Sequence, residues 1–89
     1  MTVTLRFPNR SRYYDTTRRA VGFWAHDSAM EAAFFVAEGL LRRLQPGMST
    51  DEPSMLEAFD AHRDRIQAAA VKAYTRGGAG AYALSEDDF

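Results

Sequence analysis

Two histidines, a scatter of carboxylates and a run of arginines and tyrosines are the residues of this 89-residue chain whose types could do chemistry. His26 and His62 are the only histidines, and there is no cysteine. A metal ion would need both imidazoles to converge with carboxylates such as Asp27 or Asp60. His62, however, falls on an apolar helical stripe and His26 beside a turn, so each is better explained as a partly buried structural histidine. Asp60 and Asp64 are spaced as a carboxylate pair on one helix face, but they sit where the sequence is most polar, and nothing there would raise a carboxyl pKa. No serine, threonine or lysine stands in the context of a nucleophile. Gly77-Gly78-Ala79-Gly80 has the composition of a phosphate loop. It follows a helix and precedes a strand, the reverse of the order that aims backbone N–H groups at phosphate, and no Lys-Ser or Lys-Thr comes after it. It reads as a linker. The sequence assigns no catalytic residue, no cofactor and no metal.

The chemistry that remains is recognition. Arg6, Arg10, Arg12, Arg18 and Arg19 meet only Asp15 among the first nineteen residues, while the tail Glu86-Asp87-Asp88 is acidic. Arg12, Tyr14, Arg18 and Arg19, with Arg10 and Tyr13, combine guanidinium forks with stackable rings, a chemistry suited to single-stranded nucleic acid or a phosphorylated partner. The formal net charge of −1 gives no global attraction to nucleic acid or anionic membranes. The plainer expectation is that the tyrosines pack on a sheet while the arginines pair with the acidic tail. Trp24, Phe35 and Tyr14 form a second candidate surface. An aromatic patch left open on one sheet face marks a protein partner or a homodimer; alternatively the short helix and the Pro8–Thr17 segment cover it.

The elements that must position these residues follow from hydrophobic spacing. Met55, Phe59, His62, Ile66, Ala69 and Ala73 recur at steps of four and three, one continuous stripe on a helix running from about Pro53 to Arg76. Thr50 or Asp51 caps it, Pro53 occupies its first turn, and Gly77 ends it. Asp60 and Arg63 are spaced for an i,i+3 ion pair on its surface. Upstream, Val3, Leu5 and Phe7 alternate with polar residues as a half-buried strand, Pro8–Ser11 breaks it, and Arg12-Tyr13-Tyr14 resumes an extended path. Asp15–Arg18 is a turn in which the aspartate bonds its own backbone. Arg19 to His26 is a strand with Val21, Phe23 and Ala25 on one face and Gly22, Trp24 and His26 on the other. Met30 to Val36 pairs with it antiparallel through a tight connection at His26–Ala29. Leu40, Leu41 and Leu44 make a short helix closed by Gln45-Pro46-Gly47-Met48. Tyr82 and Leu84 mark a last short strand returning to a sheet edge, and residues 85–89 form a final turn with Phe89 tucked back.

Strands first and helices afterwards point to an α+β fold: a small antiparallel sheet of three to four strands packed on one long C-terminal helix plus a short helix, the whole of 1–89 as a single domain. A hydrophobic content of 46% is enough to fold without staples. No apolar run reaches the about 18 residues a membrane span needs, and no charged n-region precedes an apolar stretch, so a cytoplasmic, soluble chain is expected.

Phe7-Pro8-Asn9, Arg12-Tyr13-Tyr14-Asp15, Val21-Gly22-Phe23, Phe34-Phe35-Val36 and Phe59–Ile66 together resemble the YrdB-like proteins, short bacterial chains filed as a domain of unknown function. The resemblance covers nearly the whole chain, and its motifs are structural in character. It implies a compact α+β domain standing alone in a bacterial cytoplasm and brings no activity, ligand or catalytic residue. The expected function is a non-enzymatic protein-interaction or self-associating module acting through Trp24 and Phe35. The alternative is a weak nucleic-acid binder using Arg12, Tyr14, Arg18 and Arg19.

Overall fold

Residues that alternate in the sequence alternate in space. The computed structural model describes residues 5–7, 12–27, 30–76 and 81–89. Three strands come first: β1 (Arg12–Asp15), β2 (Ala20–Asp27) and β3 (Met30–Ala37). They form an antiparallel meander in which Tyr13 lies opposite Gly22, Gly22 opposite Phe35, and Trp24 opposite Ala33. Three helices follow, α1 (Glu38–Leu44), α2 (Glu52–Ala61) and α3 (Arg63–Arg76), and then β4 (Ala81–Ala83) and a 3₁₀ turn at Glu86–Asp88. The sheet order is β1-β2-β3-β4.

The fold is α+β, as the spacing predicts, with two differences of detail. The last strand returns to the expected edge, but β4 runs parallel to β3, so the sheet is mixed. Its position after three helices permits this, because a parallel neighbour requires a long crossover connection. The long helix is interrupted at His62, whose φ of −115° and ψ of 22° leave helical geometry. Its N–H is shared between the carbonyls of Ala58 and Phe59, both at 3.2 Å, and its own carbonyl accepts the Ile66 N–H at 3.0 Å. The stripe keeps its phase across this break. Met55, Ala58 and Phe59 of α2 and Ile66, Ala69, Ala70 and Ala73 of α3 are all buried.

That stripe packs with Leu41 of α1 and Leu84 against the inward-facing residues Val21, Phe23, Ala25, Ala32, Phe34 and Val36. Phe59 meets Phe23 with ring centroids 5.1 Å apart, and Phe23 in turn stacks on Phe34 at 5.4 Å. Leu5, Phe7, Tyr14 and Phe89 flank this core. The helices thus share one face of the sheet.

Local signals set the boundaries. Asp51 caps α2 by accepting the Ser54 N–H at 2.8 Å, and Pro53 sits in the first turn. That backbone hydrogen bond, helped by the Ser54 side chain, lowers the Asp51 carboxyl below its ordinary value. Asp15 accepts the Arg18 N–H at 3.0 Å in the β1–β2 turn, as its type predicts. After α1 the chain turns at Gly47 with φ of +87°, a conformation open to glycine at no steric cost. Of the expected first strand, residues 2–4 lie outside the described residues. Arg6 makes one antiparallel bridge to His26, with both N···O distances 2.8 Å. The expected linker at 77–80 and the hairpin tip at 28–29 also lie outside them.

Candidate interaction surface

The pleat decides which aromatic residues share a face. With Val21, Phe23 and Phe34 turned to the helices, Gly22, Trp24, Ala33 and Phe35 turn away from them, and pairing of Tyr13 with Gly22 brings Tyr13 to the same outer side. Tyr13 stacks on Trp24 with centroids 5.2 Å apart and meets the edge of Phe35 at 6.4 Å. Tyr14 lies on the opposite face, half-buried against the core. The aromatic surface is therefore Tyr13, Trp24 and Phe35, with Tyr13 in the place expected of Tyr14.

Among the described residues the short helix does not cover this face, and of the Pro8–Thr17 segment residues 8–11 lie outside the described residues. Leu41 of α1 is in the core on the other side. The cover comes from within the β1–β2 hairpin. Tyr13 lies across Gly22, and the Arg18 guanidinium sits 4.1 Å from the centre of the Phe35 ring. Phe35 is left 7% exposed, Trp24 is half-buried, and Tyr13 is 36% exposed. Outward side chains on β4 are small, Ala81 and Ala83.

Gly22 makes the aromatic cover fit. A methyl placed on it would lie 2.5 Å from Cζ of Tyr13. The atoms in conflict are at the far end of a side chain that can swing away, so Gly22→Ala is expected to cost only about 1–2 kcal/mol while displacing Tyr13 from Trp24. Trp24 is the sole tryptophan. Its fluorescence should shift to the red in Gly22→Ala; unchanged emission would mean that the ring keeps its place.

Among the described residues the N-terminal arginines do not gather into one basic surface. Arg12 reaches over the helix side and forms a bidentate pair with Asp60, at 3.0 and 2.9 Å. Arg18 pairs with Asp15 at 3.6 Å, and Arg19 with Glu38 at 3.3 Å. Glu38 also takes Arg42, and the tail carboxylate of Glu86 pairs with Arg43. The expected pairing of N-terminal arginines with the acidic tail is thus replaced, for these three, by partners in the adjacent turn and in α1 and α2. Sequence spacing did find the Asp60–Arg63 pair, 2.8 Å apart, but not its burial. Arg63 is 8% exposed and lies over the Phe59 ring, 4.9 Å from its centre. Burial alone pushes the Asp60 carboxyl up, but hydrogen bonds and charge from Arg12 and Arg63 outweigh it and hold the group below its ordinary value. Asp60 is therefore an anion at neutral pH and no general acid.

The histidines stand apart. His62 bonds Gln45 through Nε2 at 2.8 Å, and His26 lies 3.8 Å from Glu31 across the β2–β3 pair. Among the described residues no group of three or more metal-ligating side chains converges. Sequence reading missed a tie between the ends of β2 and α3, where the Tyr74 hydroxyl donates to Asp27 at 2.9 Å. That hydrogen bond is the main cause of a raised Tyr74 pKa. The clefts are shallow; one of about 320 Å³ is lined by Gln45, Met48, Ser54 and Glu57 among others.

These features define a small α+β protein with a mixed sheet, helices on one face and an aromatic row on the other. The chain belongs to the DUF1488 family, a family of proteins of unknown function, whose profile matches residues 5–85. Its fold is similar to that of a crystal structure of a protein of unknown function from the same family, from Shewanella loihica PV-4. The two share 17% identity over 94% of each chain, with a TM-score of 0.75. No curated protein matches the sequence.

Proposed function

We propose that this protein is a non-enzymatic interaction module that presents the sheet face around Trp24 to another protein surface. One observation carries the reading: the core lies on one side of the sheet, while Tyr13, Trp24 and Phe35 form a contiguous aromatic row on the other. A sheet face of this kind gains free energy by being covered, and aromatic side chains dominate the energetics of such contacts. The residue runs around Tyr13, Val21, Phe34 and Phe59 support a place among the YrdB-like proteins. A cytoplasmic setting fits a cysteine-free chain in which no described helix is long and apolar enough to cross a membrane.

The test compares wild type with Trp24→Ala. The variant is expected to keep its circular dichroism and unfolding midpoint near those of wild type and to bind its partner about tenfold more weakly or worse. Equal capture by the folded variant would overturn the reading, and if Trp24→Ala unfolds, Tyr13→Ala on the rim of the same face replaces it.

A second reading, weak nucleic-acid binding, draws on Arg18, whose side chain is 53% exposed beside the rings of Tyr13 and Phe35. It requires affinity that falls steeply with salt and drops when Arg18 and Arg19 become alanine. Arg12 and Tyr14, on the other side of the sheet, would take no part.

A further inference from the structure

Along β3 the open face carries opposite charges at its two ends, while Arg6, bridged to His26, adds an exposed basic side chain two strands away from Glu31. Arg18 lies over Phe35 near one end of β3, and Glu31, four residues along the same strand, lies near the other. The side chains are 53% and 59% exposed, so both remain available beyond their loose contacts with Asp15 at 3.6 Å and His26 at 3.8 Å. Midway between Phe35 and Glu31 on the outer side is Ala33, directly opposite Trp24 in β2. At about 3.3 Å per residue, Arg18 and Glu31 are each roughly 6–7 Å along the strand from this centre.

We propose that the partner of this face is a second copy of the same chain, packed sheet to sheet about a two-fold axis that crosses the strands at Trp24 and Ala33. The inference rests on the reading above that this face is an interaction surface, and names its occupant. A two-fold axis lying between the faces and across the strands reverses strand direction and exchanges the two ends. Arg18 of each copy then meets Glu31 of the other, twice over, and the face is complementary to itself. An axis along the strands would instead set Arg18 against Arg18 and Glu31 against Glu31, which like-charge repulsion disfavours. Trp24 of each copy meets its counterpart beside the shallow Ala33, and Ala81 and Ala83 leave that edge free of obstruction. Aligned packing of this kind separates the sheets by about 10 Å, a spacing that aromatic side chains fill. Strands β2 and β3, each about 26 Å long, with the shorter β1 and β4, spaced about 4.8 Å apart, offer roughly 350 Å² per copy. That area, about half the roughly 800 Å² per partner of a standard interface, makes the dimer weak and concentration-dependent.

The test is charge exchange, read by sedimentation of the full chain over about 5–500 µM, the range a contact of this size requires. Wild type is expected to pass from monomer to dimer. Arg18→Glu and Glu31→Arg should each weaken the dimer by about tenfold or more, since each turns both ion pairs into like-charge contacts. Mixing the two variants should restore wild-type association, because every contact between an Arg18→Glu copy and a Glu31→Arg copy is again between opposite charges. The double variant should also dimerise. Rescue on mixing shows in addition that both single variants are folded. Wild type that stays monomeric throughout, or a mixture that associates no better than either variant alone, overturns the proposal. A monomeric wild type that captures another protein in a Trp24-dependent way overturns only the second copy as partner. Capture or dimerisation indifferent to Trp24→Ala and Tyr13→Ala overturns the interaction face itself.

Discussion

Phe59→Ala is expected to lose about 3–5 kcal/mol of stability, most or all of what a chain of this size has to spare. The ring is fully buried, packs 5.1 Å from Phe23, and carries the Arg63 guanidinium on its other side. It joins α2 to the centre of the sheet, so its removal leaves a cavity that neither β2 nor the helix can fill by a small shift. At roughly 4–8 °C per kcal/mol, the melting temperature should fall by about 12–40 °C, if a transition survives at all. Phe59→Leu keeps most of the volume and should cost under about 1.5 kcal/mol. Thermal and urea unfolding of the two variants side by side provide the check. An alanine variant within about 1 kcal/mol of wild type would mean that α2 does not depend on this ring for docking.

Asp60→Ala should have the next largest effect, about 2–3 kcal/mol. Losing one partner of a fully buried pair costs about 3–5 kcal/mol, and the lower figure allows for the 42% exposure of the Asp60 side chain. The carboxylate receives Arg12 from β1 and Arg63 from the start of α3, and so ties an edge strand to the helix break. The same group makes stability depend on pH. Its pKa is lowered in the folded state, so its contribution is fully present above the ordinary value of 3.8 and is lost as pH falls through the lowered value. Asp60→Asn should therefore be less stable than wild type at neutral pH and converge with it in acid. Parallel loss of stability in the two proteins as pH falls from about 5 through the lowered value would show that the carboxyl contributes nothing.

Periodicity carries information about one element at a time, and what was legible follows that limit. The two faces of β2, the alternation of β3 and the stripe from Met55 to Ala73 depend only on nearest spacing, and all are found in the structure. The length of chain between β3 and β4 allowed either direction, so the parallel run of β4 was not open to inference from spacing. Nor was the interruption at His62, because no proline or glycine marks it and the buried positions keep their phase across it. Tyr14 was misplaced for a related reason. The expected break at Pro8–Ser11 leaves the phase of the strand that resumes at Arg12 open, and in the structure that strand has Tyr14 facing the core and Tyr13 the open side. The ion pairs were hidden by distance in sequence: Arg12 and Asp60 are 48 residues apart. Arg63 shows the same limit, since its spacing from Asp60 was plain while its burial depends on the fold around Phe59.

The parallel placement of β4 has a consequence for the chain while it is being made. The strands β1 to β3 leave the ribosome first, and β3 pairs with β2 along one edge only. Its other edge, beside the aromatic and apolar run Ala32–Val36, waits for a three-residue strand that follows all the helices. Until Ala81–Ala83 are synthesised, a nascent chain displays that edge as a template for pairing with neighbouring chains. Docking of β4 covers that edge of β3 and leaves a three-residue strand as the new edge, and the Leu84 N–H, bonded to the Phe35 carbonyl at 2.9 Å, is the latch that follows it.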